Sequence, residues 1–247
     1  PSAILDEVDH EILKDLIAHD KWTAAEELMN ELEKNKSNYS ALILPYESMR
    51  KRLISAGNTG EADRVASKQA MFYREALKLK QDIPVEAIDL IALRSLGGVI
   101  NASQNIKSSR LSFPENAFNN GLKAKLKALD QLTVQVDQIA KSGSGKAIVA
   151  SSKILIDTYE SVAEEIKAFT PPDKPQEYVD SFQKAMSEVW SPLMNHARKL
   201  RKDVELTINK NSILSDDNFA LLASPGFEEV RFVGAEENIV MQRGGVK

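Results

Sequence analysis

A short segment near the start of the chain recurs at a fixed offset of 37 residues. Leu16–Ala25 aligns with Leu53–Ala62, so that Leu, Ile and Ala return at equivalent places on either side of a turn. Apolar residues around each copy recur with the spacing of one helical face, which predicts a helix on each side of the turn. A single unit of this kind cannot bury its apolar face, and neighbouring units must therefore stack.

Helix–turn–helix units with such a period are typical of α-solenoids. Because the tetratricopeptide repeat (TPR) has a period of about 34 residues, the sequence predicts an all-α, TPR-like α-solenoid of stacked helical hairpins. Small Ala25 and Ala62 are expected where paired helices cross closely. Composition agrees with helix, since aromatic residues make up only 6% of the 247 residues while Ala, Leu, Lys and Glu are plentiful.

The same periodicity predicts the positions of the helices along the chain. They are expected at about 3–19, 22–33, 39–56, 61–80, 84–96, 119–140, 146–168 and 176–209. Pro45 is expected to kink the third helix or to mark its start, and Pro192 to kink the last helix or to restart it with Ser191 as N-cap. Gly97-Gly98 indicates a loop or a close helix crossing. Residues 101–118 are polar and rich in turn formers, and we expect an irregular connection or a short helix there.

These elements predict four parts of the chain. Residues 1–80 form two TPR-like helical hairpins, 81–120 an irregular helical connection, and 121–223 the C-terminal helical hairpins. Residues 224–247 hold several glycines and a proline and are expected to form a non-helical, extended tail.

Composition and charge exclude several kinds of site. The formal net charge is −4, without the surplus of Lys and Arg that nucleic-acid binding needs. The absence of cysteine excludes disulfides and thiolate-ligated zinc. No apolar run approaches the roughly 20 residues that a membrane-spanning helix requires. The run Lys123, Lys125 and Lys127 is expected to lie on a solvated helix face.

The motifs that suggest catalysis or metal binding are incomplete. Gly143-Ser144-Gly145-Lys146 contains part of a phosphate-binding loop, but Ala147 replaces the Ser or Thr that would hold the metal, and a helix–helix turn is the favoured interpretation. His10 and His19 lack the i, i+4 spacing of a helical metal pair. We therefore expect no catalytic residue, no metal and no cofactor.

The stretch 125–206 resembles the carboxyl-terminal region of large TPR envelope proteins of predatory and gliding Gram-negative bacteria. The matching motifs are Leu126-Lys127-Ala128-Leu129, Ser142-Gly143-Ser144-Gly145-Lys146-Ala147, Thr158-Tyr159-Glu160-Ser161-Val162-Ala163, Thr170-Pro171-Pro172-Asp173, and Tyr178 and Phe182 followed by Trp190-Ser191-Pro192-Leu193. The linker after Pro171-Pro172 is shorter here than is usual in that family. The resemblance implies a periplasmic or outer-membrane-associated scaffold, linked in some relatives to motility machinery, and it implies no catalytic residues.

We therefore expect a non-enzymatic scaffold for protein partners, in a membrane-associated complex of the bacterial envelope; a cytoplasmic location is the alternative. The partner-binding groove is expected between the first two hairpins. The residues expected to bind acidic groups of the partner there are Lys51, Arg52, Arg64, Lys68 and Arg74. Tyr73 is expected to bind the partner as an aromatic anchor. The alternative function is a helical protein that binds a small apolar ligand or lipid between its helices.

Overall fold

The computed structural model describes residues 2–35, 38–213, 217–218 and 221. Within these ranges every regular element is a helix and no strand is present, which confirms the predicted all-α class. The tail predicted at 224–247 lies outside the described residues.

The helices within the described ranges are long and joined by short turns. They are α1 (Ser2–Ala18), α2 (Trp22–Asn35), α3 (Ile43–Ser55), α4 (Thr59–Lys78), α5 (Val85–Ser108), α6 (Glu115–Ala140), α7 (Gly145–Ala168) and α8 (Gln176–Asn211). A 3-10 turn at Ser40–Leu42 leads into α3. Pro45 lies in the first turn of α3 and therefore marks the start of that helix. This was one of the two predicted alternatives; the other was a kink in the helix.

The described chain divides into two compact units. The first unit takes the residues up to Asn105 together with Asp130–Ile148, and the second takes Ile106–Leu129 together with the residues from Val149 onward. Helices α5, α6 and α7 therefore contribute residues to both units. The predicted division of the chain after residues 80, 120 and 223 stays a prediction.

The turns that follow α1 and α3 have the same hydrogen bonds at the offset of 37 residues. The amide of Lys21 donates to the carbonyl of Leu16 over 2.8 Å, and the amide of Asn58 donates to the carbonyl of Leu53 over 2.8 Å. The residue before each of these amides is left-handed, with φ of 55° at Asp20 and 76° at Gly57. Both turns are thus Schellman caps, in which the first carbonyls left free at a helix end are satisfied.

The first unit has one apolar core shared by its successive helices. Helix α1 packs against α2 and α3, and α3 packs against α4. Ala25 and Ala62 are buried, as predicted for a close approach of helices. The buried apolar core of these helices is formed by Leu13, Ala25, Met29, Leu32, Leu42, Ile43, Tyr46, Val65, Phe72 and Ala87.

A buried polar cluster joins α3, α4 and α5. Gln69 of α4 is fully buried; its amide donates to the carbonyl of Ile43 over 2.7 Å, and its oxygen accepts from the guanidinium of Arg94 over 2.9 Å. Arg94 also donates to the carboxylate of Glu47 over 2.7 Å, and Arg50 binds the same carboxylate through two nitrogens at 2.7 and 2.8 Å. Each buried polar group has a partner, as burial in a low-dielectric interior requires.

Two expectations for α5 were wrong. The helix continues through Gly97-Gly98, and a Cβ added at either glycine would meet no atom within 4 Å, so these residues form neither a loop nor a close crossing. Residues 101–108 continue the same helix instead of forming an irregular connection. Buried positions recur at Val99, Ser103 and Ile106, and the apolar pattern ended in the sequence because the buried residue at 103 is a serine.

Pro192 does not restart the last helix, because α8 runs without interruption from Gln176 to Asn211. Proline removes one backbone donor, which leaves the carbonyl of Glu188 without its helical partner. Pro192 and Glu188 both lie on the exposed face of α8. Water can therefore satisfy that carbonyl, and the helix tolerates the proline.

In the second unit, Lys125 is buried and not on a solvated face as predicted. Its ammonium donates to the carbonyl of Ile106 over 2.9 Å, to the carbonyl of Ser109, and to the carboxylate of Glu165 over 2.5 Å. The other oxygen of Glu165 accepts from the amide of Leu111 over 2.9 Å. The ion pair thus fixes the segment between α5 and α6.

We predict opposite effects for alanine at two glycines. Gly57→Ala places a side chain in the left-handed region and should lower the free energy of unfolding by about 1 kcal/mol. Gly97→Ala adds helix propensity at a position where the new Cβ meets no atom within 4 Å. It should raise the free energy of unfolding by about 0.5–1 kcal/mol. Urea unfolding of both variants measures this. Equal shifts would contradict the turn geometry at Gly57.

We predict that the contribution of Glu47 to stability depends on pH. Burial raises the pKa of Glu47, but hydrogen bonds and positive charges from Arg50 and Arg94 outweigh burial, and the pKa is lowered. The stabilisation is therefore full above the unfolded pKa of about 4.3 and is lost as the pH falls through the lowered folded-state pKa. Glu47→Gln should lower the Tm most at neutral pH. A loss of Tm that stays constant down to about pH 3 would contradict this linkage.

Candidate functional site

The first candidate site, the charged cleft, lies between α2, α3 and α4 in the first unit. Its volume is about 230 Å³. The residues that line it are Glu26, Met29, Asn30, Tyr46, Met49, Glu61, Arg64, Val65 and Lys68. Two of the predicted partner-binding residues, Arg64 and Lys68, are among them.

Lys68 is held on the wall of the charged cleft by two neighbours. Its ammonium forms an ion pair with Glu33 and donates to the hydroxyl of Tyr46 over 3.0 Å, while lying 4.9 Å from the centre of the Tyr46 ring. Burial lowers the pKa of Lys68, but Glu33 and Tyr46 outweigh it and the pKa is raised. Burial raises the pKa of Tyr46. Lys68 therefore keeps its charge and Tyr46 its proton at neutral pH.

The other cations near the charged cleft also have carboxylate partners. Arg64 pairs with Glu61 at 3.0 Å, and Arg52 pairs with Glu26 at 3.4 Å. The guanidinium of Arg52 lies 4.8 Å from the centre of the Trp22 ring, within the range of a cation–π contact. An acidic partner would have to compete with these carboxylates, so the cleft favours a partner that offers charges of both signs.

The remaining predicted partner-binding residues lie elsewhere. Lys51 and Arg74 are exposed, line neither cleft of the first unit, and form no ion pair within the described part of the chain. Tyr73 lines a different cleft. The structure therefore brings Arg64 and Lys68 together at the charged cleft. Arg52 lies outside the lining and is connected to it only through Glu26, and the other three residues do not line this cleft.

The second candidate site, the apolar cleft, lies between α4, α5 and α6, also in the first unit. Its volume is about 480 Å³, within the roughly 300–1,000 Å³ range of small-molecule sites. The residues that line it are Tyr73, Leu77, Ile91, Ala92, Ser95, Gly98, Val99, Gln135, Gln138, Ile139, Lys141 and Ser142. Of these residues, only Tyr73 is among the binding residues predicted from the sequence. The others could not be predicted as one site, because the lining comes from three helices that no sequence pattern relates.

Polar groups lie at one end of the apolar cleft. The hydroxyl of Tyr73 donates to the carbonyl of Ser142 over 3.4 Å, and burial raises the pKa of this hydroxyl. It therefore stays protonated at neutral pH and acts as a hydrogen-bonding group, not as an anion.

The segment Gly143–Lys146 is confirmed as a helix–helix turn, since α6 ends at Ala140 and α7 begins at Gly145. Ser144 is the N-cap of α7, because its hydroxyl oxygen accepts from the amide of Ala147 over 3.1 Å. The same hydroxyl donates to Asp89 over 2.7 Å, and Lys146 lies 3.6 Å from that carboxylate. The side chains of this turn are therefore engaged in linking α7 to α5.

Among the described residues, no group of three or more His, Cys, Asp or Glu side chains is placed to hold a metal ion. None of the described helices combines the length and the hydropathy needed to cross a membrane. No protein-family model, curated protein or solved structure matches the chain.

We predict that the half-buried Asp157 of the second unit destabilises the fold at neutral pH. Burial raises its pKa, and the positive charges of Lys107 and Lys153 only partly offset this. Because the folded-state pKa of Asp157 is raised, the contribution of Asp157 to stability is most favourable below the unfolded pKa of about 3.9. This contribution is lost as the pH rises through the folded-state pKa. Asp157→Asn should raise the Tm at pH 7 and lose this advantage in acid.

The control for this prediction is Asp203→Asn, because Asp203 is exposed on α8. It should leave the Tm unchanged at both pH values. If the two variants changed the Tm equally, burial would not be the cause of the effect at Asp157.

Proposed function

We propose that the chain is a non-enzymatic scaffold whose protein partner binds in the charged cleft. The observation that carries the proposal is the repetition of the helical hairpin. The α1–α2 and α3–α4 hairpins end their first helices in the same cap at an offset of 37 residues, and the charged cleft lies where they meet. Stacked hairpins leave a groove of this kind, which is how helical-repeat proteins present a binding surface.

The chemistry of the charged cleft suits a peptide-like partner. Met29 and Met49 supply flexible, polarisable surface that adapts to different side chains. Tyr46 and Arg64 supply the aromatic and guanidinium groups that are enriched among residues dominating binding energies. The side chain of Arg64 is 82% exposed and available to a partner without rearrangement of the core.

We further propose a repeat family and a cellular location for the scaffold. A TPR-type array is supported by the period of 37 residues, close to the TPR period of about 34. The resemblance of residues 125–206 supports a periplasmic or outer-membrane-associated complex, with an envelope or motility protein as the partner.

The proposal is tested by affinity capture with wild-type chain and two charge-reversed variants, each compared by mass spectrometry. Arg64→Glu changes the charged cleft, whereas Arg74→Glu makes the same change at an exposed position of the same helix outside both clefts. A partner retained by wild type and by Arg74→Glu should be lost with Arg64→Glu, with a fall in affinity of about tenfold, or roughly 1.4 kcal/mol.

Circular dichroism and Tm must first establish that both variants fold, which is expected because each change lies on the surface. Equal retention by the two variants would exclude the charged cleft as the partner site. Loss with both would indicate a response to net charge and not to this cleft.

A second candidate function is the binding of a small apolar ligand. The observation that favours it is the apolar cleft, where Leu77 is 53% exposed although it lines a concave surface together with Ile91 and Ile139. A ligand that covered Leu77 would remove apolar surface from water, which is favourable by roughly 25 cal/mol per Å².

A further inference from the structure

The apolar cleft has one cationic group on its wall. Lys141 lines it directly after the end of α6, and within the part of the chain that the structure describes its ammonium forms no ion pair. By contrast, Lys146 is paired with Asp89. The hydroxyl of Tyr73 binds the carbonyl of Ser142, the neighbour of Lys141 in the chain, so the hydroxyl and the cation belong to the same end of the cleft.

The rest of the wall is mainly apolar, although Ser95, Gln135 and Gln138 also line it. Ala92 and Val99 lie on α5 at the spacing of two helical turns and are buried, and Ile139 faces them from α6. Gly98 lies between Ala92 and Val99 in the sequence of α5, and a Cβ built on Gly98 meets no atom within 4 Å. The glycine therefore leaves open volume in the cleft instead of permitting a contact between helices.

We propose that the apolar cleft binds a single-chain amphiphile with a carboxylate head group, such as a fatty acid. The hydrocarbon chain lies along Ala92, Gly98 and Val99, and the carboxylate pairs with the ammonium of Lys141. This inference rests on the ligand-binding candidate function and names its ligand class. Each methylene that leaves water adds to the affinity, so the hydrocarbon chain of the ligand supplies most of the affinity and Lys141 selects the head group.

The dipole of α6 opposes an anion at the carboxyl-terminal end of that helix. The backbone therefore does not attract the carboxylate, and the attraction depends on the side chain of Lys141. An exposed pair of this kind is worth a modest amount. Removal of the ammonium should accordingly reduce the affinity for the acid by about three- to tenfold and leave the affinity for a neutral amphiphile unchanged.

The test is isothermal titration of the full chain with decanoate and with decanol, which share the hydrocarbon chain and differ in charge. Gly98→Leu should weaken binding of both probes because its side chain would occupy part of the volume in which the hydrocarbon chain lies. The matched control is Gly97→Leu, one residue earlier on α5 and outside the cleft, which makes the same change in helix propensity and should bind both probes as wild type does.

Lys141→Met should weaken binding of decanoate and not of decanol. If it weakened neither, the carboxylate preference would be wrong, while the ligand-binding function would stand. If wild type bound neither probe, both the ligand class and the ligand-binding function would be overturned, and the scaffold proposal would be unaffected. Equal loss of binding in Gly97→Leu and Gly98→Leu would overturn the location in the apolar cleft.

Discussion

Gln69 fixes the position of α4, and both clefts depend on that position. Its buried amide joins the carbonyl of Ile43 on α3 to the guanidinium of Arg94 on α5, so three helices share one hydrogen-bonded centre. Arg64 and Lys68 precede Gln69 on α4 and line the charged cleft; Tyr73 and Leu77 follow it and line the apolar cleft. A shift of α4 would leave the fully buried Gln69 without its partners on α3 and α5, and an unsatisfied buried polar group costs about 1–3 kcal/mol.

The helices could be predicted from the sequence wherever one apolar stripe faces the core, because a period of 3.6 residues is visible in a single chain. The helix prediction failed at Ser103 in α5, and the prediction of a solvated helix face failed at Lys125, because in both places the buried residue is polar. The buried ammonium of Lys125 is stabilised by partners far away in the sequence, such as Glu165. No local pattern contains those partners.

The candidate site was predictable only in part, for a related reason. Arg64 and Lys68, which the repeat places on one helix of the second hairpin, line the same cleft, whereas their role in binding a partner stays a prediction. The carboxylates that pair with Arg52 and Lys68 could not be predicted, since each lies far from its partner in the sequence, as in Arg52–Glu26. The apolar cleft depends on the open volume beside Gly98, and a glycine in a sequence does not distinguish open space from a close contact.

Left-handed residues other than glycine end several helices of this chain. Asp20, Lys80 and Ser212, which follow α1, α4 and α8, have positive φ between 50° and 55°. Such a conformation costs a residue with a Cβ about 1–2 kcal/mol, a large amount beside the 5–15 kcal/mol by which a typical domain is folded. Replacement of these residues, in evolution or by engineering, would therefore stabilise the protein at its helix ends. At Lys80 such a replacement would alter neither cleft.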